Sequence, residues 1–177
     1  MNSTLASSPA LAAPRTPTLD EVSQAIKDGQ PPTWGDRDWT VGIKASVAKL
    51  GIMAGWKVCT SSVNGIDREC EWLFDQTWFH NGNGMLREVG LVLESEWGNF
   101  QEVRYDFEKL LVARAPMKVM IYCDEKLDCA ESFENLGLGM RHYKHQDASE
   151  RFLVACWRGA AKRFDFRRFA GDGAPLP

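Results

Sequence analysis

The chain has 177 residues, of which 44% are hydrophobic and 25% charged, a composition typical of one globular domain with a single core. The formal net charge of −3 argues against binding to polyanions through bulk charge, although a local basic patch would still allow it. No apolar run approaches the roughly 20 residues that span a bilayer, and the N-terminus lacks the pattern of a secretory signal. We therefore expect a soluble, cytoplasmic protein without a membrane partner.

The cysteines are scattered along the chain, and no two of them have the Cys-x-x-Cys spacing of zinc sites. Several stand in apolar runs that are typical of strands. We therefore expect reduced and mostly buried thiols, as in a cytosolic protein. The cysteines are Cys59, Cys70, Cys123, Cys129 and Cys156.

The N-terminal part combines a polar segment with two helical patterns. Residues 1–17 are mostly Ser, Thr, Ala and Pro, and a segment so poor in large apolar side chains is expected to be disordered. A short amphipathic helix should follow over residues 18–28, because Thr18 and Glu21 have capping-box spacing. A second helix is expected over residues 39–54, where apolar positions recur every three or four residues.

Three strands are expected next, and they should form an antiparallel meander. They cover residues 56–61, 70–79 and 87–97, which are rich in aromatic and β-branched side chains. The Asn-Gly-Asn-Gly stretch at 81–84 supplies the turn between the second and the third of these strands.

A helical pattern over residues 100–114 separates this meander from a fourth strand at 117–123, which is nearly all apolar and therefore expected at the centre of the sheet. A helix at 129–136 and a last strand at 151–157 complete the pattern. A meander followed by a crossover helix and a further strand predicts an α/β fold, with a mixed β-sheet and flanking helices in the core order α-β-β-β-α-β.

The third strand carries an unusual pair of charges. Its apolar run, residues 91–93, leads directly into Glu94, Ser95 and Glu96, and burying an unpaired carboxylate costs several kcal/mol or raises its pKa. Asp75 lies in a similar apolar setting on the second strand, and pairing of the two strands would bring it close to these acids. Neighbouring carboxylates repel each other unless a cation lies between them, and Mg²⁺ takes oxygen ligands of this kind. The sequence therefore predicts a site for a divalent metal ion.

The order of elements, with an Asp on one strand and Glu-x-(Lys or Glu) on the next, resembles the PD-(D/E)XK nuclease superfamily, which has the restriction-endonuclease-like fold. The resemblance covers residues 36–125. It implies hydrolysis of phosphodiester bonds with Mg²⁺ or Mn²⁺ as the cofactor. It also implies that Asp75, Glu94 and the carbonyl of Ser95 are metal ligands.

The resemblance leaves open which residue positions or activates the attacking water. Glu96 stands where the superfamily usually has lysine. Some restriction enzymes of the superfamily also have a glutamate at this position. Lys109 on the next helix is the alternative, because this lysine is known to migrate within the superfamily. Glu71 is a further acid that would either join the site or lie on the surface.

Each candidate residue also has a purely structural interpretation. Glu94 and Glu96 would both lie in solvent if the strand emerges at Glu94. Independently of this, Asp75 would cap a turn or pair with an arginine such as Arg87, and Lys109 would be a solvated helix position. The same fold would also suit an inactive module that binds nucleic acid or protein, or a small scaffold protein whose acids form surface ion pairs.

The stretch 151–169 is basic although the chain is acidic, and phenylalanines alternate with its charges. This pattern suits contact with a phosphate backbone and with exposed bases. The partner that we expect is nucleic acid, DNA before RNA, and the pattern itself does not distinguish the two. Alternatively, a terminal helix or strand packs its phenylalanines and leaves its arginines in water. We expect one domain over residues 18–169 with a flexible tail at 170–177, and the sequence leaves a homodimer open. The candidate nucleic-acid contacts are Arg158, Lys162, Arg163, Arg167 and Arg168.

Overall fold

The computed structural model describes residues 13–30, 36–66, 70–123, 128–145 and 147–177. These residues form an α/β domain in which helices cover both faces of a mixed β-sheet. The predicted fold class is therefore confirmed.

Four helices occur within the described ranges. They are α1 (Leu19–Asp28), α2 (Asp36–Met53), α3 (Phe100–Val112) and α4 (Cys129–His142). α1 begins at the predicted capping box, in which the hydroxyl of Thr18 accepts a hydrogen bond from the Glu21 N–H and the carboxylate of Glu21 accepts one from the Thr18 N–H. α4 runs to His142, beyond its predicted end at 136, because Met140 continues its buried face. Within the described part of the chain, none of the helices is long and apolar enough to cross a membrane.

The strands lie side by side in the order in which they occur along the chain. They are β1 (Lys57–Thr60), β2 (Gln76–Gly82), β3 (Met85–Glu96), β4 (Met117–Cys123), β5 (Arg151–Arg158) and β6 (Arg163–Ala170). β1, β2 and β3 form an antiparallel meander, and β3, β4 and β5 are parallel through the crossover helices α3 and α4. β6 returns antiparallel to β5. The predicted order α-β-β-β-α-β occurs as α2-β1-β2-β3-α3-β4.

The second strand begins later than the sequence predicts. β2 starts at Gln76, and residues 70–75 lie outside it. The backbone explains the difference, because Leu73 has a φ of 72°, in the left-handed region that an extended strand cannot contain. Residues 70–75, which we call the Asp75 segment, therefore lead into the sheet as an irregular stretch with an exposed Leu73 side chain.

The sequence left open whether the end of the basic stretch 151–169 forms a helix or a strand. The structure has a strand there, β6. The residues that follow it fold back along its edge. The Leu176 N–H donates to the Arg168 carbonyl over 2.9 Å, and the Ala170 N–H donates to the Ala174 carbonyl over 2.8 Å. The tail that was expected to be flexible thus covers part of an edge strand, which would otherwise expose unpaired backbone groups.

The sheet separates two apolar cores, and strand alternation assigns each β3 side chain to one of them. Leu91 and Leu93 pack on the side of α1 and α2, whereas Val92 packs on the side of α3 and α4. Glu94 has the same parity as Val92. Its carboxylate is therefore directed to the layer that contains α3.

The expectation that all cysteines are reduced is wrong. Cys129 at the start of α4 and Cys156 on β5 form a disulfide, with their Cα atoms 5.9 Å apart. Both residues belong to the core between the sheet and α4, so the packing of that helix on β5 brings them together. Their separation of 27 residues gave no sign of this pairing in the sequence.

Candidate functional site

Three of the predicted site residues meet at one point although they come from three elements. Asp75 directly precedes β2, Glu94 lies near the end of β3, and Lys109 belongs to α3. Gln76 pairs with Leu93 in the antiparallel register, which places Asp75 beside Glu94. The Asp75 N–H lies 3.4 Å from Glu94 Oε2, and the ammonium of Lys109 forms an ion pair with Glu94 Oε1.

The position of Lys109 follows from the way α3 packs. Asn99 caps the helix, and Phe107 and Leu110 anchor it on the sheet. Lys109 stands at the margin of this apolar face, with 35% of its side chain exposed. Its ammonium also lies 3.3 Å from Asp106 Oδ1, so two carboxylates share one lysine.

Asp75 is fixed from two sides. Its Oδ2 accepts hydrogen bonds from the backbone N–H of Ser95 over 2.8 Å and from the Ser95 hydroxyl over 2.6 Å. The hydroxyl of Thr60 on β1 donates to the Asp75 carbonyl over 2.7 Å. Ser95 thus orients the Asp75 carboxylate through its N–H and hydroxyl, and the predicted role of its carbonyl as a metal ligand stays a prediction.

Glu94 is a buried carboxylate, with 2% of its surface exposed. Burial raises its pKa to about 7, the ammonium of Lys109 counteracts part of this rise, and the negative charge of Asp75 adds to it. Partial burial opposes the charge on Lys109, but its contacts with Glu94 and Asp106 outweigh burial and raise the lysine pKa. At neutral pH the lysine is therefore charged. The Glu94 carboxyl is close to its pKa there, so its protonated and ionised forms are both populated.

Glu96 does not join this group. β3 ends at Glu96, and its Oε1 accepts a hydrogen bond from the Gly98 N–H over 2.6 Å in the loop that leads to α3. The sequence offered two candidates for the residue beside the attacking water. Lys109 contacts Glu94, whereas Glu96 accepts a hydrogen bond from the loop before α3.

Lys44 on α2 is a site residue that the sequence analysis missed. It is 2% exposed, and its ammonium lies 3.0 Å from Ser61 Oγ and 3.1 Å from Glu71 Oε1. The sequence did contain a signal, because Lys44 stands three and four residues before the buried Val47 and Ala48 and so interrupts an apolar helix face.

Glu71 connects Lys44 to the central group. Partial burial opposes its charge, but hydrogen bonds from Ser61 and Lys44, together with the positive charges of Lys44 and Lys109, outweigh burial and lower its pKa. Glu71 belongs to the Asp75 segment, which therefore contacts Lys44 through Glu71 and Glu94 through Asp75. Glu71 itself is exposed, so it lies on the surface, as one of the two interpretations of the sequence had it, and it contacts Lys44 there.

The carboxylates offer oxygen atoms, the ligands that Mg²⁺ and Mn²⁺ prefer in proteins. Asp75 and Glu94 are close enough for the charge of one to raise the pKa of the other, which is the condition under which a shared cation is favourable. Among the described residues, however, no group of three or more His, Cys, Asp or Glu side chains is arranged to hold a metal ion. The metal site therefore stays a prediction that rests on two carboxylates.

Three of the predicted nucleic-acid contacts lie around the β5–β6 turn. Arg158 forms ion pairs with Asp128 over 3.2 Å and with Asp165 over 3.3 Å, and Arg163 contacts Asp165 over 3.1 Å. Lys162 is an exposed residue of the turn itself. The two arginines are thus partly neutralised by neighbouring acids.

The other two predicted contacts point to opposite faces of the sheet, because they are adjacent on β6. The guanidinium of Arg167 lies 5.9 Å from the ring centre of Phe133 on α4. Arg168 forms an ion pair with Asp20 on α1. The five basic residues therefore do not share one surface.

Fold and site together define a mixed α/β domain with a partly buried cluster of carboxylates and lysines where β2 begins and β3 ends. Neither the known protein families nor the curated proteins contain a match to this chain.

Proposed function

We propose that this protein is a divalent-metal-dependent nuclease of the PD-(D/E)XK type, which hydrolyses phosphodiester bonds in nucleic acid. The observation that carries this proposal is the meeting of Asp75, Glu94 and Lys109. Asp75 directly precedes β2, Glu94 lies on β3 and Lys109 lies on α3, in the element order α2-β1-β2-β3-α3-β4. In particular, Lys109 reaches Glu94 from the crossover helix, as the migrated lysine of that superfamily would.

In this proposal Asp75 and Glu94, with the carbonyl of Ser95, hold Mg²⁺ or Mn²⁺. When bound there, such an ion would supply positive charge for lowering the pKa of a water molecule and for neutralising charge on the phosphate. The other contacts support this role. Ser95 keeps the Asp75 carboxylate in one orientation, and Asp106 keeps the Lys109 ammonium close to Glu94, where it would orient the water.

The proposal is tested by incubating the protein with single- and double-stranded DNA and RNA in the presence of Mg²⁺, Mn²⁺ or EDTA. We expect cleavage that requires metal and that falls by about 10²-fold or more in Asp75→Asn and Glu94→Gln. Glu88→Gln is the matched control, because Glu88 is an exposed acid on the same strand, away from the site. Absence of cleavage by folded wild-type protein with every substrate and metal would refute the nuclease proposal.

A second function is an inactive module of the same fold that binds nucleic acid or a protein. One observation favours it, because both carboxylates already have partners within the protein: Lys109 pairs with Glu94, and Ser95 donates two hydrogen bonds to Asp75 Oδ2. Such a module would bind nucleic acid equally well with and without Mn²⁺. Glu94→Gln would leave its affinity unchanged, whereas a nuclease site would lose its metal dependence in this variant.

The proposed partner is nucleic acid, with DNA preferred to RNA, through the exposed basic residues of β6 and its preceding turn. Arg163 and Arg167 are exposed and lie on the same face of that strand, which supports a contact with a phosphate backbone there. If this contact exists, Arg163→Ala with Arg167→Ala should weaken DNA binding and reduce its dependence on salt. Arg114→Ala is the control, because it removes an exposed arginine outside β6. A homodimer would be detected by light scattering of the free protein and the DNA complex.

A further inference from the structure

Two cysteine thiols lie together beside the candidate site. Cys59 is buried on β1, and Cys70 is exposed at the start of the Asp75 segment. Their sulfur atoms are 3.9 Å apart, and the thiol of Cys59 donates a hydrogen bond to the Cys70 carbonyl over 2.8 Å. The two thiols are therefore close to van der Waals contact.

A disulfide requires the two sulfur atoms to approach to about 2.0 Å, so one of them must move by about 2 Å. Cys59 is held in the sheet, where it pairs with Thr77 on β2. Cys70 lies outside the strands and is exposed, so its side chain and backbone can move without breaking the strand ladder. We propose that Cys59 and Cys70 form a dithiol site that a small-molecule disulfide, such as oxidised glutathione, converts into a disulfide bond.

The exposure of the two residues determines the order of the chemical steps. The thiolate of Cys70 attacks the small disulfide, which releases one small thiol and leaves a mixed disulfide on Cys70. The thiolate of Cys59 then attacks Sγ of Cys70 and releases the second small thiol. Overall, two protein thiols are oxidised to one disulfide while one small disulfide is reduced to two thiols, and the protein loses two hydrogen atoms.

The bond would tie the start of the Asp75 segment to β1. Hydrogen bonds already connect later residues of that segment to the end of β1. The Thr60 hydroxyl donates to the Asp75 carbonyl, and the Ser61 hydroxyl donates to Glu71. Oxidation therefore fixes the stretch that carries both acids. The dithiol site depends only on the positions of the two cysteines, and its test is independent of nuclease activity.

The sequence permits a direct test, because Arg68 is a trypsin site between the two cysteines. The full-length protein is treated with increasing ratios of oxidised to reduced glutathione, its remaining thiols are alkylated, and it is digested without reduction. We expect peptide 58–68 to be linked to peptide 69–87, and dithiothreitol should separate the two. Peptide 127–141 linked to peptide 152–158 reports the Cys129–Cys156 disulfide and serves as an internal reference for an intact fold.

Two variants complete the test. Cys123→Ser removes the one described cysteine outside both pairs and should keep the link between peptides 58–68 and 69–87. Cys70→Ser should lose this link while the reference pair stays linked. Recovery of peptides 58–68 and 69–87 only as separate, alkylated or glutathione-bound species, at ratios that keep the reference pair linked, would overturn the proposal. A link from Cys70 to Cys123 instead of Cys59 would overturn it as well.

The effect on the Asp75 segment has a separate readout. Hydrogen exchange of the amides at 70–75 should slow in the oxidised protein compared with the reduced protein. The Cys70→Ser variant should show no such change under the same two conditions. Equal exchange in the oxidised and reduced wild type would refute the claim that the bond fixes this segment.

Discussion

Glu94→Gln should stabilise the fold at alkaline pH, because it removes a carboxylate that is buried at a cost. Glu94 is 2% exposed, and its pKa rises from the ordinary 4.5 to about 7 in the folded protein. This rise corresponds to about 3 kcal/mol, at about 1.4 kcal/mol for each pH unit. The substitution keeps the shape of the side chain and leaves Lys109 with Asp106. The raised pKa already includes the attraction between Glu94 and Lys109, so the loss of that contact is part of this figure, and we expect a net gain of about 3 kcal/mol.

The gain should depend on pH in one direction only. The folded state binds the Glu94 proton more tightly than the unfolded state, so the wild type carries no penalty below about pH 4.5, where both states are protonated. Between pH 4.5 and 7 the unfolded chain ionises first, and the penalty in the folded state grows with pH. Above pH 7 it is complete. Because glutamine does not titrate, the difference between variant and wild type should follow the same curve.

Urea unfolding in the presence of EDTA, at pH 5, 6, 7 and 8.5, measures this difference. Glu88→Gln is the matched control, because its carboxylate is exposed on the same strand and should give a small effect without this pH dependence. A difference for Glu94→Gln that is equal at all four pH values would refute the reasoning. A loss of stability at pH 8.5 would mean that the ion pair with Lys109 outweighs the cost of burial.

Three further variants test the ion pairs, and chemical reduction tests the disulfide, by the same urea measurement. Lys109→Met should cost about 3 kcal/mol at pH 8.5, because the buried carboxylate beside it loses its counter-charge, and much less at pH 5, where that carboxylate is protonated; equal costs at both pH values would contradict this. Glu71→Gln should destabilise the fold more than Lys44→Met. The first substitution leaves the buried ammonium of Lys44 without its counter-charge, whereas the second leaves an acid that is 48% exposed. The opposite order would show that Lys44 stabilises mainly by packing. Reducing the Cys129–Cys156 disulfide should lower the free energy of unfolding by about 3–4 kcal/mol, given the 27-residue separation, and no change on adding dithiothreitol would contradict the pairing.

The sequence predicted the neighbourhood of Asp75 and Glu94 because it follows from simple periodicities. Apolar runs define the strands, and a turn between the second and third strands requires them to pair antiparallel. That pairing brings the end of one strand next to the start of the other. Lys109 was a candidate only through the resemblance to the PD-(D/E)XK superfamily, since no periodicity of the sequence indicates which side chain of the crossover helix contacts Glu94.

The remaining details depend on interactions that no local pattern contains. Leu73 stands among aromatic residues with high strand propensity, yet its left-handed φ of 72° ends the extended chain before β2. Glu96 has the right spacing for the site, but the Gly98 N–H provides it with a local partner. Cys129 and Cys156 meet only because α4 packs on β5. Each of these outcomes is set by tertiary contacts that compete with local preference.

The stability of Glu94→Gln and its function can be combined to decide between the two proposed roles. A buried acid that weakens the fold is hard to explain by folding alone, because an apolar or amide side chain would fit the same place with less cost. If Glu94→Gln is more stable than the wild type and has lost metal-dependent cleavage, the carboxylate is required for catalysis although it lowers the stability of the fold. If the variant is more stable and binds nucleic acid as the wild type does, with no cleavage by either protein, the cluster is a charged remnant in a binding module. A variant that is less stable at pH 8.5 would instead show that the ion pair with Lys109 holds α3 on the sheet, and Glu94 would then need no catalytic role to account for its burial.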